Sequence, residues 1–406
     1  MLKNGGDENN TILQSFDKQQ FIKRVSFALL YATKFYYFHL RMSNELLYQI
    51  SLTLIPHIGA VQAKQLMEHF GNAEAIFKAR KKDLSQVGGI GEVKAKSIKD
   101  FNQFNDAETE MAFCSKYHIQ PLFITHKDYP QRLLHCYDSP TLLYYRGNAD
   151  LNNAKIISII GTRSNSDYGK QATEQFIGEL QSQNILIVSG LAYGIDAIAH
   201  KASLQNKMAT VGVLAHGLDS IYPNQHKTLA KEMLLNGGLL TEFRKNTKPD
   251  KYNFPQRNRI VAGMADATIV IETAIKGGSM ITAELAYNYN RDVFALPGKT
   301  TDAKSAGCLK LIHQNKATIL TTPEQFLADM NWEEKKKPPK KQRELFIELS
   351  PDEKVIISIL KEKEIVSIDD LFLKSGLSSS SIAGAILNLE LQNVIASLPG
   401  KIYKLM

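Results

Sequence analysis

Cysteine is scarce in this chain of 406 residues: Cys114, Cys136 and Cys308 are the only three, far apart and without a Cys-x-x-Cys pair. That excludes a disulfide framework and a cysteine zinc site, and it points to a reducing, cytoplasmic setting. Also missing is a long apolar run free of charge. The nearest, residues 21–40, is broken by Lys23, Arg24, Lys34 and His39, and no small-residue cleavage site follows it, so no membrane partner is expected. Two nucleotide signatures are absent as well. Without a G-x-x-x-x-G-K-[S/T] loop the chain is not a P-loop ATPase, and without G-x-G-x-x-G a nicotinamide or flavin dinucleotide is disfavoured. No cofactor, metal ligand or catalytic residue is expected.

What remains is an ordinary globular composition, 44% hydrophobic and 22% charged, with a net charge of +8 that favours a polyanionic partner. The length allows two to four domains. Residues 1–43 read either as a basic amphipathic extension or, preferably, as sequence upstream of a start at Met42. The preference rests on Ser43-Asn44-Glu45, which opens a helical pattern. Over 44–105, Leu54-Ile-Pro-His-Ile-Gly59 and Val87-Gly-Gly-Ile-Gly91 each pair a glycine turn with a helix. This is a helix-hairpin-helix arrangement in a SAM-like module, which either offers backbone N–H groups to a phosphate or serves only as scaffold.

Residues 106–330 form the next domain, in which strand and helix alternate from Lys155 to about Thr322. Pro121–Thr125 and Pro140–Gly147 look like added strands. Runs at Ile156–Ile160, Ile185–Val188, Ala209–Leu214, Leu239–Glu242, Ala267–Glu272 and Asp292–Leu296 then predict an extended Rossmann-like α/β core, its sheet mainly parallel. Ligands of such sheets lie beyond the carboxyl ends of the strands. A basic linker over 331–349 leads to 350–406, where three helices and a hairpin turning at Pro399-Gly400 predict a winged-helix-like domain. Its third helix carries no Lys or Arg, which favours protein contact or packing over duplex binding.

The candidate site is a set of loops. Gly161-Thr162-Arg163 follows a strand, and its arginine can fork onto a phosphate. Ser189, Gly190 and Gly194 form a small-residue loop before a helix that Asp196 is placed to cap; catalysis by Asp196 with His200 is disfavoured. The segment 243–259 holds Arg244, Lys245, Lys248, Lys251, Arg257 and Arg259 against Asp250 alone, with Phe243, Tyr252 and Phe254 among them. Cations would track a backbone while a ring stacks a base. Arg257 and Arg259 are spaced like a clamp, and Gly277-Gly278-Ser279 opens a helix suited to a phosphate. The site residues are thus Arg163, Lys251, Phe254, Arg257, Arg259, Gly161, Ser189, Gly190, Gly277, Gly278 and Ser279.

The motifs GTR at 161–163, SGLAYGIDAIAH at 189–200, GLDSIYP at 217–223, FPQRNRIVAG at 254–263 and GGSMITAELA at 277–286 closely resemble the DprA/Smf family, the DNA-processing protein A proteins. The resemblance covers residues 44–406. It implies a non-enzymatic protein that binds and protects incoming single-stranded DNA in natural transformation and loads RecA onto it. It also implies help against single-strand binding protein and a homodimer formed through the Rossmann-like domain. Carried over by motif, Arg163, Lys251, Phe254 and Arg257 become DNA contacts, with Phe254 stacking a base. Departures from the family pattern at Gly307-Cys308-Leu309 and Lys316 read as surface changes away from the DNA loops, where dimerisation could be affected. Two other readings compete: a phosphoribohydrolase-like enzyme, because Gly277–Glu284 echoes a Gly-Gly-x-x-T-x-x-E loop, and a duplex-DNA repair scaffold acting through the helix-hairpin-helix module.

Overall fold

Nine strands make one sheet in the computed structural model, which describes residues 44–333 and 349–405 except 364, 393, 399 and 400. The 1–43 extension, most of the linker and the Pro399-Gly400 turn lie outside the described residues. The strands are β1 (Gln120–Phe123), β2 (Leu142–Gly147), β3 (Lys155–Ile160), β4 (Ile185–Ser189), β5 (Thr210–Val213), β6 (Gly237–Thr241), β7 (Ala267–Val270), β8 (Asp292–Ala295) and β9 (Thr318–Ile319). Their order is β1-β2-β6-β5-β4-β3-β7-β8-β9. From β6 to β9 every pairing is parallel, while β1 on β2 and β2 on β6 are antiparallel. The sheet is therefore doubly wound with a two-stranded antiparallel extension, as its sequence pattern predicts.

The strands read as continuous apolar runs because both sheet faces are covered. Along β3, Ile156 and Ile160 enter one core cluster while Ile157 and Ile159 enter another, and along β4 Leu186 and Val188 part from Ile185 and Ile187 in the same way. The first of these clusters also takes in Ile50, Leu66, Ile76 and Ile98 of the N-terminal helices. The helical module thus shares a core with the sheet. At Gly59 its turn is already occupied, because the Gly59 N–H donates to Gln62 Oε1 at 3.1 Å.

Chain direction creates the functional position. From β3 the strands proceed outward through β4, β5 and β6, and the chain then returns to place β7 on the other side of β3. Loops leaving β3 and β7 diverge at this switch point and leave a crevice above the sheet.

Residues 349–405 form a separate unit. Helices Pro351–Glu362, Ile368–Ser375 and Ser379–Leu391 enclose Ile356, Leu360, Leu371, Ile382 and Leu389. Ser350 and Glu353 cap the first helix reciprocally. A two-residue strand, β10 (Val366–Ser367), joins the anticipated hairpin of β11 (Ile395–Leu398) and β12 (Ile402–Leu405). This is a winged helix. No helix among the described residues is long and apolar enough to cross a membrane.

Candidate nucleic-acid interface

A cleft of about 670 Å³ opens at the switch point. Gly161, Thr162 and Arg163 after β3 form one side, Gly190 and Ala192 after β4 lie deeper, and Thr273, Gly277, Gly278 and Ser279 after β7 form the opposite side. Lys251, Phe254 and Arg257 come in from the helix Asn253–Gly263 and its approach. Nine of the eleven sequence-predicted site residues therefore converge on one cavity.

The β7 side is built to receive an anion. Helix Gly278–Asn288 begins there with Gly277 as a bare N-cap, so N–H groups of the first turn are left for a ligand. A Cβ on Gly278 would meet nothing within 4 Å, which keeps the backbone accessible. Ser279 Oγ donates to Thr273 Oγ1 at 2.7 Å, fixing the loop. Opposite, the exposed Arg163 guanidinium lies 5.3 Å from the centre of the Phe254 ring, and the Tyr222 ring is 6.0 Å from the same ring. Phe254 is thus half-buried between a cation and a second aromatic.

Arg257 performs a different task from Arg163. It is buried, and its Nη1 donates to the Gly190 and Val213 carbonyls while Nε donates to Asn258 Oδ1. Burial lowers its pKa to about 10, against the opposing pull of Asp196, so it stays charged at neutral pH. Burial raises the pKa of Asp196, and Arg257 holds it down. A Cβ at Gly190 would lie 2.7 Å from both the Arg257 guanidinium carbon and Asp196 Oδ2, so only glycine lets this pair reach the cleft floor. Asp196, expected as a helix cap, instead accepts from the Ala192 N–H at 3.3 Å, and Gly194 occupies the cap position at φ 75°. His200 is buried with Nδ1 2.7 Å from Thr210 Oγ1, and burial drops its pKa to about 3. It is a neutral core residue.

Two predicted site residues are elsewhere. Arg259 does not clamp with Arg257, because residues two apart on a helix point to opposite sides. Its Nη2 pairs with Glu242 and its Nη1 with the Asp138 carbonyl, both arms of the Arg259–Glu242 pair being mostly buried. Ser189 is the last residue of β4, fully buried, with its Oγ donating to the Ile159 carbonyl at 2.6 Å. It ties two strands together and leaves none of its side chain for a phosphate. The basic segment thins further at Lys245, whose N–H donates to Glu110 and whose Nζ donates to the Thr109 carbonyl. Of its six cations, Arg244, Lys248 and Lys251 are exposed. Removing Arg259 leaves Glu242 uncompensated in a site that already raises its pKa. Arg259→Met should therefore cost about 3–5 kcal/mol of stability, read as a fall in Tm, with DNA affinity per folded molecule preserved.

Sequence reasoning missed Glu272. Its buried carboxylate accepts the Ser166 N–H at 2.9 Å and the Ser166 hydroxyl, and its carbonyl accepts the Thr162 N–H at 2.7 Å. It anchors both ends of the loop that carries Arg163. A carboxylate closing an apolar strand was the available signal. Tyr222 lay in a noted motif without a role. The departures at Gly307-Cys308 are not on the surface: Cys308 is fully buried, and the Gly307 N–H donates to the Thr273 carbonyl at 2.8 Å, directly behind the cleft.

Fold and cleft together define a doubly wound α/β protein with an anion-receptive cleft at its switch point, in a chain that also carries helix-hairpin-helix and winged-helix elements. The family model described as DNA recombination-mediator protein A matches residues 120–331, a helix-hairpin-helix motif matches 50–110, and a DprA winged helix domain matches 336–401. The chain is 31% identical over 398 residues to Protein Smf of Synechocystis sp., covering 89% of this chain and 99% of that one. It is 41% identical over 204 residues to DNA processing protein DprA of Streptococcus pneumoniae, covering 50% of this chain and 72% of that one. The X-ray structure of DNA processing protein A from Streptococcus pneumoniae aligns with a TM-score of 0.59 at 33% identity, covering 70% of this chain and 97% of that one. The chain belongs to the DprA/Smf family of DNA-processing proteins.

Proposed function

We propose that the switch-point cleft holds single-stranded DNA and that the protein acts as a cytoplasmic, non-enzymatic recombination mediator. In this reading it protects incoming DNA during natural transformation and loads RecA onto it, working as a homodimer against single-strand binding protein. The observation that carries the reading is the shared lining of one cleft by Arg163, Lys251 and Phe254 opposite an open helix N-terminus. Cations and backbone N–H groups suit phosphates, and the ring suits an unpaired base. A duplex keeps its bases stacked inside and would leave the aromatic wall unused.

The enzyme alternative is weakened by the acids and bases present. Glu284, which would have to reach a sugar, lies 3.4 Å from Lys316 Nζ and does not line the cleft. Asp196 faces Arg257, and His200 is in the core.

Fluorescence anisotropy with single-stranded and duplex oligonucleotides of equal length, across a salt series, tests the proposal. Single strands should bind at least tenfold more tightly, with log K falling by roughly 0.7 per phosphate contacted for each decade of salt. Equal affinity for the two forms would contradict it. Mediator action is read separately as faster RecA filament formation on DNA coated with single-strand binding protein.

A further inference from the structure

The basic segment that carries Lys251 is pinned from a part of the fold none of whose described residues lines the cleft. Helix Phe104–Lys116 joins the helical module to β1. At its start Phe104 packs among Tyr48, Phe77 and Phe101 of that module, with ring centres 5.9, 5.5 and 5.2 Å away. Nearly two turns on, the same helix meets the loop after β6. Ala107, Glu110 and Cys114 are its buried residues, at the spacing that puts side chains on one helix face.

Glu110 is 4% exposed, and its Oε1 accepts the Lys245 backbone N–H at 3.0 Å. Burial raises its pKa, against the pull of that N–H and of the Lys245 and Arg244 charges. The Lys245 ammonium donates to the Thr109 carbonyl at 3.3 Å and lies 5.8 Å from the centre of the Phe113 ring. From the other side, Asp219 Oδ1 accepts the Asn246 N–H at 2.9 Å, and the Thr247 carbonyl accepts the Gly217 N–H at 3.1 Å. Asn246 itself is left-handed, at φ 63°. Residues 245–247 are thus clamped on both sides. Only Lys248 separates the clamp from Pro249, Asp250 and Lys251, which line the cleft. A buried carboxylate engaged by a backbone N–H fixes where the loop runs. It leaves the exposed cations Arg244, Lys248 and Lys251 free for phosphates.

We propose that Glu110 is a positioning residue for the DNA site: through helix Phe104–Lys116, the helical module sets the path of the basic loop and so the reach of Lys251. This rests on the reading of the cleft as a single-strand site. It gives the module a part in binding that runs through the loop rather than through its own glycine turns. A loose loop would have to be ordered by the arriving strand, which costs affinity; the clamp orders it beforehand.

Anisotropy with oligothymidylate on the full-length protein, across a salt series, tests this through a double-mutant cycle with Lys251→Ala. Alone, Lys251→Ala should cost about tenfold and flatten the salt dependence by roughly one phosphate's share. Glu110→Leu removes the acceptor and should lower affinity about threefold or more, with the same flattening. In that background Lys251→Ala should cost less than about threefold. Glu110→Gln keeps an oxygen for the Lys245 N–H and should stay within about twofold of wild type. Lys245→Met cuts the two side-chain ties, spares the backbone one, and should bring the cost of Lys251→Ala below about fivefold. That milder variant decides the matter if Glu110→Leu does not fold. A Lys251→Ala loss equal in wild type and in the clamp variants overturns the proposal. So does a Glu110→Leu loss with an unchanged salt slope, or a Glu110→Gln protein as weak as Glu110→Leu. No loss in Lys251→Ala alone fails the single-strand reading of the cleft, and the proposal with it, a result distinct from equal losses in every background.

Discussion

Arg257→Met is expected to unfold the cleft as well as empty it. The substitution removes the donor to the Gly190 and Val213 carbonyls and leaves Asp196 buried without its cation. Leaving buried acceptors without a donor costs about 1–3 kcal/mol each, and the uncompensated charge of nearby Asp196 adds to that. In a unit of this size that corresponds to a fall in Tm on the order of 10 °C. Single-strand affinity should drop as well, by tenfold or more among the molecules that remain folded, because the β4 loop loses the group that sets its carbonyl. Arg257→Lys should recover part of the stability, since it keeps the charge, but little of the loop geometry, since an ammonium cannot reproduce the fork. Thermal denaturation and anisotropy on the same samples separate the two effects. A stable Arg257→Met protein would show that the buried arginine is dispensable to the fold.

Arg163→Glu should produce the opposite pattern, with binding lost and stability kept. Arg163 is exposed, and its guanidinium stands over the half-buried Phe254 ring at 5.3 Å, so its removal leaves no buried charge behind. Surface changes of this kind usually move stability by no more than about 0.5 kcal/mol. For binding, the substitution removes one phosphate contact and adds a repulsive charge at the mouth of the cleft. The expected loss is on the order of a hundredfold at moderate salt, shrinking as salt rises and screens the repulsion. Arg163→Ala should lose about tenfold and flatten the salt dependence by roughly one phosphate's share. Unchanged affinity in Arg163→Glu would place the DNA elsewhere on the protein.

The contrast between these arginines shows where the sequence was legible and where it was not. Strands such as Ile156–Ile160 were readable because burial on both faces leaves a β-branched run that few other structures require. Gly161, Gly190 and Gly277 were readable because turns at strand ends demand small residues. Charge was less informative. Arg257, Arg259 and Lys245 look alike in a basic segment, yet one anchors a loop, one neutralises Glu242 and one docks on the helix Phe104–Lys116. Those fates depend on helix phase and on partners more than a hundred residues away for Lys245, which local spacing does not carry. Ser189 turns away from the cleft for a related reason, since whether a strand's last side chain faces the ligand or the next strand is a matter of register. Glu272 and Tyr222 act through contacts to other loops, so the carboxylate closing an apolar strand and the tyrosine of the GLDSIYP motif mark the positions without showing what they do. The two-residue strand β10 is too short to have one.

The decisive measurement is where a bound single strand touches the protein. An oligonucleotide carrying photoreactive 5-iodouracil can be cross-linked to the full chain and the attached peptides mapped by mass spectrometry. Cross-links are expected at the aromatic residues of the cleft, Phe254 and Tyr222, with their loss in Arg163→Glu. Cross-links confined to the helix Gly91–Lys99 or the helix Ser379–Leu391, with none on the cleft, would contradict the cleft as the binding site.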